Sequence, residues 1–215
     1  MTRAGALRWV GSVVATAVLL AVTACTPQTG ALSPTGQPSG TDLVGASDTS
    51  GVLAQRRAAG IADCPASDPS VAARPDGLPE LTLDCLGGDS RVRLAGLRGT
   101  PMVLNVWAQW CGPCRAEGPY LAEVQQRAGD KVMLLGIDYA DPRPDAAVEM
   151  AGQLGWTYPH VTDPHKDTAL SLRVVGPPHT VFVDAEGRIV YRHAGQLTST
   201  DQLVDLIRTH LGVNL

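Results

Sequence analysis

Met102-Val103-Leu104-Asn105-Val106-Trp107-Ala108-Gln109-Trp110-Cys111-Gly112-Pro113-Cys114 joins an almost unbroken apolar run to two cysteines separated by two residues. The run from Met102 to Ala108 has the pattern of a central strand buried on both faces. A helix is predicted to follow, from about Cys111 to Arg127, with Gly129-Asp130 stopping it. A cysteine at a helix N-terminus faces unpaired N–H groups and the positive end of the macrodipole, which favour thiolate over thiol. The spacing puts Cys114 one turn on, on the same face, within reach of Cys111. Pro113 suits the first turn, where its missing N–H would have gone unpaired anyway. Cys111 is therefore expected to be an exposed nucleophile of low pKa, and Cys114 the shielded resolving thiol. The competing use of such a pair is half of a zinc site. That needs two more ligands at useful spacing, and neither Cys64 and Cys85, 21 apart, nor the scattered histidines supply them.

Outward from this stretch the pattern alternates between strand and helix. Leu81–Leu83 and Val92–Leu94 suggest a short antiparallel pair around Gly87-Gly88. Val132–Ile137 reads as a second buried strand, and Asp145–Leu154 as a helix by period. Thr180–Val183 and Arg188–Tyr191 make a hairpin across Glu186-Gly187. Asp201–Leu211 closes the chain as an amphipathic helix with Leu203, Leu206, Ile207 and His210 at spacings of three and four. The class is α/β, a mixed central sheet with helices on both faces and an N-terminal hairpin.

The chain has 215 residues, 44% apolar and 18% charged, which suits one packed domain with appendages. With Phe182 the sole phenylalanine, the core must rest on Val, Leu and Ala. A net charge of −4 offers no basic surplus to neutralise phosphates, so nucleic acid is not an expected partner. Arg3 and Arg8 precede an uncharged, mostly apolar run, Trp9–Val22, shorter than the ~20 residues that span a bilayer. Val22-Thr23-Ala24-Cys25 resembles the lipobox of bacterial lipoproteins, whose cysteine is lipidated and becomes the mature N-terminus. The alternative is an uncleaved membrane anchor. Residues 1–24 are expected to be a lipoprotein signal peptide, removal of which takes away Arg3 and Arg8 and leaves the mature chain at −6. Between Thr26 and Ser50, 16 residues of 25 are Ser, Thr, Pro or Gly, too polar to offset the entropy of ordering. Residues 25–62 are assigned to a flexible stalk, with a short helix conceivable around Arg56 and Arg57, and 63–215 to the domain. Either way the domain lies outside the cytoplasmic membrane, anchored at its outer face, where disulfides persist.

From about residue 78 to 211 the chain resembles thioredoxin-fold proteins, specifically the membrane-tethered, extracytoplasmic TlpA/ResA-like group. The resemblance is carried by Val103–Cys114, by Arg115-Ala116-Glu117-Gly118-Pro119, by Val175-Gly176-Pro177-Pro178-His179-Thr180 and by Phe182–Ile189. It implies a thioredoxin-like fold, a thiol–disulfide oxidoreductase, and Pro178 as a cis-proline beside the dithiol. Ordinary thioredoxins carry a buried Asp where this chain has Asn105, as TlpA-like proteins often do, and an amide cannot act as a base. Glu117 matches the position of an active-site glutamate in ResA-like proteins, which would fill the vacant role; otherwise it simply decorates the first helical turn. Pro177 has no N–H to offer a docked peptide strand, a loss on the order of 1 kcal/mol. His179 is either an ordinary loop histidine or close enough to Cys111 to stabilise its thiolate.

In an oxidising compartment the remaining Cys64 and Cys85 are expected to bridge each other, contributing roughly 3 kcal/mol in the loop-entropy picture. Expected partners are disulfide-bearing or dithiol proteins, a membrane electron-transfer partner, and the membrane itself through the lipid. No cofactor or metal is implied. The resemblance suggests reduction of protein disulfides, with apocytochrome c during cytochrome c maturation as one task, and an oxidase of exported proteins as the alternative. A reading of another class is a metal- or haem-binding module using Cys111, Cys114 and His179. A peroxiredoxin-type peroxidase lacks its Thr-x-x-Cys arrangement.

Overall fold

The computed structural model describes residues 46–215. The expected signal peptide, Cys25 and the stalk as far as residue 45 lie outside the described residues. The elements are α1 (Ala46–Ala58), β1 (Thr82–Cys85), β2 (Arg91–Arg93), a 3-10 turn (Leu94–Gly96), β3 (Met102–Trp107), α2 (Gly112–Ala128), β4 (Met133–Tyr139), α3 (Pro144–Gln153), β5 (His160–Asp163), α4 (Thr168–Leu172), β6 (His179–Val183), β7 (Ile189–Ala194) and α5 (Thr200–Leu211). They build one seven-stranded mixed sheet in the order β2-β1-β5-β4-β3-β6-β7, the thioredoxin-like arrangement.

Every residue of β3 is buried, as its apolar run requires. Alternation sends Val103, Asn105 and Trp107 to one face and Met102, Leu104 and Val106 to the other. β3–α2–β4 and β4–α3–β5 are successive parallel crossovers stepping the same way, so right-handed connections place α2 and α3 on one face. Leu121 and Val124 of α2, Val148 and Ala151 of α3, and Leu203 and Ile207 of α5 pack there with Val103 and Trp107. The opposite face is thinner, covered by Leu78, Leu94, Leu97 and Leu172 of α4. β6 and β7 add an antiparallel hairpin beside β3, with a bulge at Phe182/Val183.

The hairpin β1–β2 extends the sheet, because β1 pairs antiparallel with β5. β2 and β7 are therefore the outer strands. β2 is three residues long, and the Arg93 guanidinium reaches Glu80 and the carbonyls of Asp68 and Val71.

Residues 46–62 depart from the assignment to the stalk. Helix α1 docks by its second half: Val52 and Arg56, one turn apart, are buried, and the Arg56 guanidinium bonds the Ala62 carbonyl at 2.9 Å and pairs with Asp63. A Cβ at Gly87 in the β1–β2 turn would crowd the Val52 carbonyl of α1 at 3.1 Å, and its φ of 66° also favours glycine, so this turn suits the close approach of α1. The short helix allowed around Arg56 and Arg57 is thus present and longer, and its docking, which comes from tertiary packing, is what local composition does not register.

Cys64 and Cys85 form a disulfide with Cα atoms 6.0 Å apart, tying the end of this segment to β1. Cys85 is buried and Cys64 half-buried. Replacing both by serine is expected to cost about 2–5 kcal/mol in chemical denaturation. In native protein treated with mild reductant, mass spectrometry should find this bond intact after Cys111–Cys114 has opened. Early opening of Cys64–Cys85 would make it a working thiol pair instead.

Candidate active site

The parallel strands β3, β4 and β5 all end on one side, where ligands of open α/β sheets bind. From the end of β3 the chain turns through Ala108–Trp110, and Cys111 becomes the N-cap of α2. Its backbone is extended (φ −84°, ψ 103°), and its Sγ accepts the Cys114 N–H at 3.1 Å, satisfying one otherwise unpaired donor. Pro113 occupies the first turn. Cys111 and Cys114 are disulfide-bonded, Cα atoms 5.3 Å apart. The order of accessibility is the expected one, but Cys111 is only 4% exposed and Cys114 0%. In the bridged form the Cys111 sulfur is turned inward over the helix start, so the exposure expected of it is not realised. Trp110 stands out at 53% exposure, its indole N–H donating to the Ala140 carbonyl at 3.3 Å.

The register of β6 on β3 pairs Val106 with His179, which brings the preceding Pro177–Pro178 to the mouth of the dithiol loop. That peptide bond is cis, and the Pro178 carbonyl accepts the Gly195 N–H at 3.1 Å. His179 is a buried strand residue, not a loop histidine. Burial holds its pKa below 6.5, partly opposed by a hydrogen bond with the Gly176 backbone and reinforced by His193 and Arg192. It is neutral at neutral pH and brings no full positive charge to the site.

Behind the dithiol lies a buried polar cluster. Glu117, one turn beyond Cys114, is fully buried on the sheet side of α2. Its Oε2 accepts the Leu197 N–H at 2.8 Å, and Oε1 has no partner among the described residues. Burial pushes its pKa up to about 7, the Leu197 N–H opposing. Asn105, on the same face of β3, donates through Nδ2 to the Tyr158 hydroxyl at 3.3 Å. Burial, opposed by that bond and reinforced by Glu117, holds Tyr158 well above 10, so it keeps its proton. Trp107, Trp156, Tyr158 and His160 pack around this cluster with ring centroids 4.6–6.0 Å apart, Trp107 edge-on to Trp156 and His160. His160 stays neutral, its pKa pushed down to about 3 by burial and by Arg56. Gly136 makes room for it, since a Cβ there would strike the imidazole.

Two acids beside the dithiol loop escape the sequence reading. Asp141 accepts the Gln109 N–H at 2.8 Å and the Arg143 N–H at 3.0 Å, tying the loop after β4 to the loop after β3. Asp138 is buried within β4, which runs on past the expected end at Ile137. Burial, the Asp141 charge and a hydrogen bond with Asp141 push its pKa up to about 9. The available signal was an acid inside an apolar strand pattern with a second acid three residues on.

The Redoxin family profile matches residues 73–207. The thiol:disulfide interchange protein DsbE of Vibrio cholerae is 36% identical over 124 residues, 57% of this chain and 65% of that protein. The thiol:disulfide interchange protein HelX of Rhodobacter capsulatus is 37% identical over 122 residues, 56% of this chain and 67% of that protein. The match to the Vibrio protein thus spans just under two thirds of its length. Among solved structures, a DsbF homologue from Corynebacterium diphtheriae superposes with a TM-score of 0.56 at 27% identity, covering 69% of this chain and 99% of that one.

Proposed function

This chain belongs to the Redoxin family, and from that premise we propose that it is a thiol–disulfide oxidoreductase that reduces protein disulfides outside the cytoplasmic membrane, held there by a lipid on Cys25. The observation that carries the chemistry is a cysteine pair at a helix N-terminus with a buried, incompletely bonded carboxyl one turn further on. In the reduced protein the Cys111 thiolate attacks one sulfur of a substrate disulfide. A mixed disulfide forms and the other substrate sulfur leaves as a thiolate. Glu117, with a pKa near neutrality, takes the Cys114 proton. The Cys114 thiolate then attacks the Cys111 sulfur, releasing the second substrate thiol and leaving Cys111–Cys114 oxidised. The substrate gains two electrons and the protein loses two. A membrane partner delivering electrons from the cytoplasm returns the pair to dithiol. Keeping the paired cysteines of apocytochrome c reduced for haem attachment is a task of this kind, and Asn105 leaves Glu117 as the group suited to the proton.

The Gly-Pro between the cysteines supports reduction, since it is the pair found in thioredoxin, near −270 mV, and not in the oxidant DsbA, near −120 mV. Equilibration of the protein against a glutathione series is expected to return a potential well below about −150 mV. A value above that would replace the reductase with an oxidase of exported proteins.

A further inference from the structure

A cavity of about 430 Å³ opens beside the dithiol loop, lined by Asp138 and Asp141, by Asp84, which pairs with Arg91 at 2.8 Å, and by Val52, Pro142 and Pro144. Its outer wall includes α1 and the β1–β2 turn, and its inner wall is the loop that Asp141 ties to Gln109. Asp138 is 1% exposed, yet its Oδ1 has no hydrogen-bond partner among the described residues. A buried acceptor left without a donor costs about 1–3 kcal/mol, so a ligand that supplies the donor recovers it. Burial and the neighbouring Asp141 carboxyl push the Asp138 pKa up to about 9, so Asp138 keeps its proton at neutral pH. No set of three or more metal-ligating side chains is arranged to hold an ion among the described residues. What fits is one positive charge with several N–H donors on a flexible apolar stem, the stem lying along the proline and valine walls.

We propose that this cavity seats an arginine or lysine side chain of the polypeptide whose disulfide reacts at Cys111. The substrate class is then a basic segment carrying the reacting cysteine, read by Asp138 and Asp141 while the sulfur is read by the dithiol. This deepens the oxidoreductase reading and rests on it. Asp141 already positions the Gln109 backbone, so filling the cavity and presenting the loop to substrate are parts of one contact.

The test compares reduction of peptide disulfides by the reduced full-length protein. One residue is scanned along the peptide on both sides of the cysteine as arginine, lysine or citrulline, the last a neutral match for arginine. Arginine or lysine at the best position is expected to react about tenfold faster than citrulline, the scale of one charge-assisted hydrogen bond. In the Asp138→Asn/Asp141→Asn double variant, which leaves the pair no carboxyl to ionise, that ratio should fall towards one. Equal rates across the series, or a ratio that survives in the double variant, would overturn the proposal. The peptide comparison needs no variant to fold. Hydroxyethyl disulfide, which carries no charge, separates the two levels: a wild-type protein that cannot reduce it lacks the oxidoreductase activity altogether, whereas reduction without a basic preference removes only the cation subsite.

Discussion

Cys111→Ser is expected to abolish thiol–disulfide exchange, a loss on the order of 10³-fold or more, as for removal of any nucleophile that starts a covalent cycle. Cys114→Ser is expected to do something different: it should accumulate mixed disulfides with substrate through Cys111. The asymmetry follows from the helix start. Cys111 is the N-cap, its sulfur already receiving the Cys114 N–H, so a thiolate there meets a donor and the positive helix end. Cys114 is wholly enclosed and meets only a sulfur delivered to it by Cys111. Non-reducing electrophoresis with mass spectrometry of trapped species checks both variants. Trapping by Cys111→Ser and not by Cys114→Ser would reverse the assignment.

Glu117→Gln is expected to have two large and opposite effects. Resolution of the mixed disulfide should slow by about 10²-fold, the usual worth of a positioned proton acceptor, and the rate should lose its inflection near pH 7. Stability should move the other way. Burial raises the folded-state pKa from 4.5 to about 7, so the native protein holds a proton that the unfolded chain gives up earlier. Stability from this group is fully present below about pH 4.5 and is lost as pH rises through about 7. Above that, the ionised wild-type carboxylate costs about 3 kcal/mol, which the neutral amide of the variant would not incur. Denaturation of the oxidised protein should therefore show the variant more stable at pH 8, with the gap closing towards pH 4. An unchanged pH–rate profile would return Glu117 to decorating the helix start.

The elements around the dithiol were legible because their signals are local. The apolar run of β3, the cysteine spacing and Pro113 each announce their role within a few residues, whereas Pro178 was read through the family resemblance and His179 proves to lie in β6 and not in a loop. The hairpins β1–β2 and β6–β7 and the helices α2, α3 and α5 fall within a few residues of where period and turn residues put them. What stayed hidden depends on partners distant in sequence. β5 is four residues long, between Pro159 and Pro164, and begins and ends on titratable residues; it is a strand because β4 and β1 pair with it on either side. Of helix α1 only a short piece around Arg56 and Arg57 was read; its full length and its place come from Val52 and Arg56 docking on the core. Asp138 breaks the apolar pattern of β4, so the sequence signal ends before the strand does. The polar cluster was half visible: Glu117 and Asn105 are marked by the resemblance to TlpA/ResA-like proteins, whereas Tyr158 and His160 arrive from β5 and its approach.

The way the sheet's two margins are finished has a consequence for life among unfolded chains. A bare strand margin is a template on which any extended polypeptide can crystallise into further sheet. One margin here is too short to template much, three residues with arginine at each end, and the Arg93 side chain is clamped across to neighbouring loop carbonyls. The other is twisted by its bulge and carries Arg192 and His193. Under the proposed function, client chains with bared cysteines are a co-aggregation hazard for the protein that reduces them. Guarding both margins in this way would leave the rim above the dithiol as the place where such a chain meets the protein, in exchange instead of in sheet growth.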